Sequence, residues 1–113
     1  MIELRTLGTL GIRDTGSGRE LHSVTAQPKG VALLAYLAIA SPRGFHRRDT
    51  LFGIFWPDAT EARARAALSQ AVYTLRRTLG ESIIAARGDE DLAISAGELW
   101  CDAVAFDVAG RFA

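Results

Sequence analysis

The chain lacks most of what announces cross-linking, catalysis or export. Among its 113 residues there is one cysteine, Cys101, which excludes an internal disulfide. A small thiol beside Trp100 reads as a core residue in a reducing compartment. There are two histidines, His22 and His46. They stand far from each other and from Cys101, and none of the three forms a ligand pair at zinc spacing. No Lys-Ser/Thr pair follows the run Asp14-Thr15-Gly16-Ser17-Gly18 at Walker spacing, so that run is a turn and not a phosphate loop. No Gly-x-Ser-x-Gly elbow or other catalytic motif occurs, and neither an enzymatic activity nor a cofactor is expected. Long apolar runs are missing too. The stretch from Val31 to Ala40 falls short of the roughly 20 residues that span a bilayer, and the opening MIELRTLGTLG has no signal-peptide pattern. The expected location is cytoplasmic, without a membrane partner.

Charge of one sign is also absent, since the formal net charge is zero. Its distribution is uneven. Seven arginines (Arg43, Arg47, Arg48, Arg63, Arg65, Arg76, Arg77) face three acids (Asp49, Asp58, Glu61) in the middle of the chain, while Asp89, Glu90 and Asp91 cluster later. A basic face on a neutral protein follows from such segregation. Twelve arginines against one lysine equally fit a GC-rich coding sequence. The 49% hydrophobic and 23% charged fractions are those of one globular domain.

Hydrophobic periodicity divides the chain. Ile2, Leu4 and Thr6 alternate with Glu3 and Arg5, and Leu10 and Ile12 with Gly11 and Arg13. Short antiparallel strands are predicted near 2–6, 9–13 and 20–22. Pro28 opens a helix over 28–40, carried by Val31, Leu34, Leu37 and Ala38 and stopped by Ser41-Pro42-Arg43-Gly44. A second helix over 47–55 buries Leu51, Ile54 and Phe55 and ends at Trp56-Pro57. Asp58-x-x-Glu61 has the form of a capping box, so a third helix is expected over 59–79, with Gly80 as its cap. A hairpin over 82–86 and 92–96 follows, with Leu99-Trp100 as a further short strand. Trp56 and Trp100 are expected to be core anchors, and Asp89-Glu90-Asp91 a solvated turn rather than a cation loop.

The third helix carries the functional signal. At about 100° per residue, Glu61, Ala64, Leu68, Val72, Leu75 and Leu79 share one sector, the core face. The opposite sector holds Arg63, Ala66, Gln70, Tyr73, Thr74 and Arg77, flanked by Arg65, Ser69 and Arg76. No acid interrupts it between Arg63 and Leu79. Arg, Gln, Ser and Thr donate to base edges or phosphates, and Ala66 allows close approach to a groove.

The motifs Gly44-Phe45-His46-Arg47-Arg48-Asp49-x-Leu51, Phe55-Trp56-Pro57-Asp58-Ala59, Arg63-Ala64-x-Ala66-Ala67-Leu68 and Leu75-Arg76-Arg77-x-Leu79-Gly80 add specificity. With Leu4-Arg5-x-Leu7-Gly8 and Trp100-x-Asp102-x-x-x-Phe106, they resemble the OmpR-like winged helix-turn-helix of SARP-type regulators and relatives carrying a bacterial transcriptional activator domain. The resemblance spans almost the whole chain, 1–113. It implies an α+β fold: amino-terminal antiparallel strands, three helices with the third in the major groove, and a carboxyl-terminal hairpin wing over about 82–100. It implies sequence-specific binding of double-stranded DNA, paired copies on a direct-repeat operator, a monomer in solution, and recruitment of RNA polymerase. The DNA contacts expected are Arg63, Ala66, Ser69, Gln70, Tyr73, Arg76 and Arg77, with Arg47, Arg48, Arg65 and Arg87. The loop holding Pro57, Asp58 and Thr60 would face polymerase; its plainer alternative is a capping turn with no partner.

Two departures stand out. Family wings carry Gly-x-Gly-Tyr before the last strand, whereas this chain has Gly88-Asp89-Glu90-Asp91-Leu92. Such an acidic tip repels phosphate and leaves Arg87 as the evident wing contact. Family members also continue into a helical activator domain, which the resemblance would place beyond residue 113. The acidic wing and zero net charge favour an alternative, a winged helix serving as a protein-interaction scaffold without DNA binding.

Overall fold

Alternation puts Ile2 and Leu4 into the core from one face of the first strand, and the strand pairs on both of its edges. The computed structural model describes residues 1–8, 10–40, 44–95 and 97–111, the last five as backbone alone. Strand β1 (Ile2–Arg5) pairs antiparallel with β2 (Gly11–Asp14), which pairs in turn with β3 (Arg19–Glu20). A one-turn helix α1 (His22–Thr25) and then α2 (Pro28–Ile39) follow, α2 with proline in its first turn. Strand β4 (His46–Arg47) leads directly into α3 (Arg48–Phe55), and α4 (Glu61–Leu79) is the longest helix. The hairpin β5 (Ile84–Arg87) and β6 (Asp91–Ile94), strand β7 (Leu99–Cys101) and helix α5 (Asp102–Arg111) complete an α+β chain. One sheet has the order β3-β2-β1-β7 and the other β4-β6-β5. The expected stop of α2 at Ser41, Pro42 and Arg43 lies outside the described residues.

Buried side chains from every layer meet in one cluster. Leu4 and Ile12 come from the first sheet, Leu33 and Leu34 from α2, Leu51 from α3, Leu68 and Leu75 from α4, and Ile84 and Leu92 from the hairpin. Truncating any of these leaves a cavity that neighbours fill only in part, at a cost of about 2–5 kcal/mol.

Several expectations are corrected. There are five helices among the described residues, not three: α1 takes His22, and Asp102 opens α5. Leu99 and Trp100 do not extend the hairpin. Strand β6 is paired on both edges, by β5 and β4, and β7 pairs not with the free edge of β5 but in parallel with β1, with Leu4 opposite Cys101. Trp100 therefore lies opposite Glu3 on the outer face of the sheet, 41% exposed, and is no core anchor; Cys101 is buried. Trp56 is half-buried, its ring tilted against that of Phe55 and lying beneath the Lys29 ammonium. In α3 the buried arc passes through Leu51 and Phe52 with Phe55 partly covered, leaving Ile54 at the shoulder, 46% exposed.

A further correction concerns a helix cap. Ala59 N–H donates to the Trp56 carbonyl and closes a turn that holds Asp58 outside the helix. Thr60 takes the cap instead: its Oγ1 accepts from Arg63 N–H at 3.2 Å, and Glu61 becomes the first helical residue. Helix α4 thus starts two residues later than the capping box implied.

Two carboxylates away from the core join distant segments. Asp102 accepts from Thr6 N–H at 2.9 Å, Thr6 Oγ1 at 3.0 Å, Leu7 N–H at 3.0 Å and Ala103 N–H at 2.7 Å. Burial pushes its pKa up, but these hydrogen bonds together outweigh burial and hold it below the ordinary aspartate value. Glu3, though on the outward side of β1, is only 9% exposed because Arg13 and Arg5 cover it. The hydrogen bond from Arg13 first, then that from Arg5, hold its carboxyl below the usual range.

Candidate nucleic-acid interface

Helix α4 divides cleanly into two faces because its apolar residues recur at helical spacing. Ala64, Leu68, Val72 and Leu75 are buried, and Leu79 is half-buried; Glu61 is exposed at the start of that stripe. Arg63, Arg65, Ala66, Ser69, Gln70, Tyr73 and Arg77 are all exposed. Nineteen helical residues at about 1.5 Å each give a rod long enough to cross a DNA groove. After Glu61 no acidic side chain occurs on α4. Arg76 and Arg77 lie in the last turn, where cations also suit the helix dipole.

The arginines are not equally free. Arg63 forms no ion pair among the described residues. Arg77 lies over the Tyr73 ring and reaches its hydroxyl at 3.4 Å, a contact that stiffens both side chains without neutralising the charge. Arg65 pairs with Glu61 at 3.3 Å and lies over the Phe52 ring. Arg76 is half-buried, and its Nη2 donates to the Ile84 carbonyl at 2.8 Å. Gln70 makes only a long contact, 3.5 Å, to Thr74 Oγ1, so its amide is available to another partner.

Outside α4 the cations are more engaged. Arg47, on β4, sits 3.4 Å from both Asp49 and Glu90. Arg87, on β5, donates from Nε and Nη2 to Asp91 at 3.0 and 2.7 Å and stacks on the Phe45 ring at 4.4 Å. Two of the three hairpin carboxylates therefore draw on the two arginines nearest them. At about 60% exposure or more, the Arg47–Glu90 pair is weak and easily exchanged; Asp91, much less exposed, holds Arg87 more firmly.

The outward surface of α4 has two flanks. On one, Gln70 joins Thr74, Ala67 and Ala71 along an open groove of about 630 Å³, whose other wall is Gln27–Gly30 at the start of α2, with Trp56 at its end. On the other, Ser69, Tyr73 and Arg76 meet Arg48 and Glu81 in a recess of about 270 Å³. Arg63 sits apart from both, lining a hollow with Lys29, Trp56, Pro57, Asp58, Ala59 and Thr60. The structure thus brings Arg48 to Ser69, Tyr73 and Arg76, and Arg63 to the loop residues. It leaves Arg87 and Arg47 on the hairpin sheet. No protein-family model, curated protein or solved structure matches this chain.

Two contributors escaped the sequence pattern. Lys29 donates to the Phe55 carbonyl at 2.6 Å, satisfying a free acceptor at the end of α3, and its ammonium lies 5.3 Å from the Trp56 ring. Phe45, exposed beside the hairpin, serves as the platform for Arg87. Both roles link residues more than twenty-five positions apart. The lone lysine is distinctive in composition, but nothing local ties it to Phe55.

Among the described residues, no three His, Cys, Asp or Glu side chains converge as a metal site, and no helix is long and apolar enough to cross a membrane.

Proposed function

We propose that the chain is a winged helix-turn-helix domain that binds double-stranded DNA in a sequence-specific manner and regulates transcription. In this reading α3 and α4 form the helix-turn-helix, α4 enters the major groove, and the β5–β6 hairpin is the wing. The observation that carries it is the outward face of α4: seven exposed residues, among them three arginines, glutamine, serine and tyrosine, with no acid after the first turn. An ordinary solvated helix mixes both signs; a surface of donors and one small residue fits a groove edged by phosphates. Gln70 is the candidate for adenine, Arg63 for guanine, and Arg77 for a phosphate. Ala66 and Tyr73 would lie against thymine methyls or the backbone.

A fluorescence-polarisation assay of the protein on its own gene's upstream region, against random duplex over a salt series, tests the proposal. Tighter binding to one segment, with log K falling linearly in log salt, is expected. Equal, salt-insensitive binding to all duplexes would remove the support.

Recruitment of RNA polymerase through Pro57, Asp58 and Thr60, and tandem occupation of direct repeats by two monomers, are parts of the same proposal. Pro57, Asp58 and Thr60 are all exposed. Because Thr60 caps α4, Asp58→Arg is the cleaner test of the polymerase contact. It should lower promoter activation in a reconstituted transcription assay while leaving DNA affinity intact.

One observation favours a second reading. The carboxylates of Glu90 and Asp91 occupy Arg47 and Arg87, which leaves the hairpin better suited to a basic protein surface than to phosphate. A scaffold role without DNA binding then follows, and the same polarisation assay separates the two.

A further inference from the structure

Two arginines with an unsatisfied nitrogen meet in one recess. Arg48, in the first turn of α3, and Arg76, in the last turn of α4, each have a buried Nε with no hydrogen-bond partner among the described residues. Both line the 270 Å³ recess with Ser69, Val72, Tyr73 and Glu81. Buried donors are ordinarily satisfied, so both guanidiniums keep hydrogen-bonding capacity that an acceptor in the recess could use. Each guanidinium carries five N–H donors in a fixed plane. Arg76 spends only Nη2, on the Ile84 carbonyl, and that bond holds its plane in place. The recess wall adds the Ser69 and Tyr73 side chains. Against two cations stands one acid, Glu81, which forms no ion pair with either arginine among the described residues.

We propose that this recess holds a single phosphate group. The two free oxygens of a phosphate diester are set tetrahedrally with its two ester oxygens, so one can face each guanidinium fork, whereas the two oxygens of a carboxylate lie in one plane and suit a single fork. Resting on the DNA-binding reading, the group is a backbone phosphodiester of the duplex beside α4, gripped between the start of α3 and the end of α4. Glu81 opposes it by charge and sets how tightly any anion enters.

The test begins without DNA. The ¹⁵N-labelled protein is titrated with inorganic phosphate and, at matched ionic strength, with chloride, following the arginine Nε–Hε signals by NMR. Saturable shifts of Arg48 and Arg76 with phosphate alone are expected. Glu81→Gln should tighten phosphate by about threefold through the lost repulsion, and this variant keeps both arginines should Arg48→Ala fail to fold. Shifts identical in chloride, or no tightening in Glu81→Gln, would overturn the site. In a second arm, Arg48→Ala is compared with the parent on duplex DNA over a salt series. A slope shallower by about 0.9 assigns the group to the DNA backbone. An unchanged slope, with the phosphate response intact in the parent, assigns the recess to a free phosphorylated molecule. Loss of all duplex binding by the parent, with the phosphate response intact, overturns the DNA reading and leaves the site standing.

Discussion

Arg76 donates from Nη2 to the main-chain carbonyl of Ile84 at 2.8 Å, tying the end of α4 to the first residue of β5. Its neighbour Arg77 makes no such bond and is exposed. Two adjacent arginines thus do different work, because one turns toward the hairpin and the other toward solvent. Arg76→Ala is expected to lower unfolding free energy by about 1.5–3 kcal/mol, the scale of a partly buried hydrogen bond from a charged donor. Arg77→Ala should stay within about 0.5 kcal/mol. Urea unfolding of both variants measures this, and equal effects would show that the Ile84 tie contributes nothing.

If α4 reads DNA as proposed, phosphate and base contacts on its outward face should separate by their salt dependence. Arg77→Ala is expected to make log K shallower in log salt by about 0.9 and to weaken every duplex alike. Gln70→Ala should leave the slope intact and narrow the gap between preferred and random sequence by roughly 1–3 kcal/mol. Should both fold and bind as the parent does across the salt series, α4 is not the reading helix and the scaffold role takes its place.

The start of α4 offers a comparison that needs no ligand. Thr60→Ala removes the hydroxyl acceptor for Arg63 N–H and should destabilise by about 1 kcal/mol. Asp58, held in the preceding turn, should tolerate alanine within about 0.5 kcal/mol. Thermal unfolding of the two variants decides; the reverse ranking would restore Asp58 as the cap.

Asp102 predicts an acid-sensitive contribution to stability. Its four hydrogen bonds favour the ionised carboxylate, so the folded pKa lies below the ordinary 3.8. A depressed folded pKa contributes stability that is fully present above the unfolded value and is lost as pH falls through the folded one. Asp102→Asn should therefore cost about 1–2 kcal/mol near neutrality, and its gap to the parent should begin to narrow near pH 3.8 and close as pH falls through the lower folded pKa. Glu3 titrates in the same direction, but it is present in both proteins and cancels in the difference. A gap that stays constant into strong acid would mean that ionisation of Asp102 is irrelevant to it.

The elements legible in the sequence were those whose signal repeats locally. Ala64, Leu68, Val72 and Leu75 recur every three or four residues, and that spacing alone assigns both the buried and the outward face of α4. Ile2 and Leu4 likewise assign the inward side of β1. Less legible were elements with one turn of signal or none, such as α1, where only Val24 is buried. Helix α5 was missed because its opening residue is satisfied from Thr6 and Leu7, nearly a hundred positions away.

What the sequence by itself determined was the α+β order, the core stripe of α4 and the acid-free surface opposite it. These follow from side-chain period and chain stereochemistry, which act over a few residues. Tertiary structure decided where β7 pairs: β5 and β1 both offer a free edge, and the fold brings Leu99–Cys101 to β1, where Cys101 is buried opposite Leu4. It also decided which arginines remain available. Arg87 lies against Asp91 and Phe45, Arg76 against Ile84, and Arg48 beside Arg76 at a recess where, among the described residues, neither Nε has an acceptor. A guanidinium reaches several ångströms in any direction its stem allows, so its partner is set by which chain segments fold within that reach.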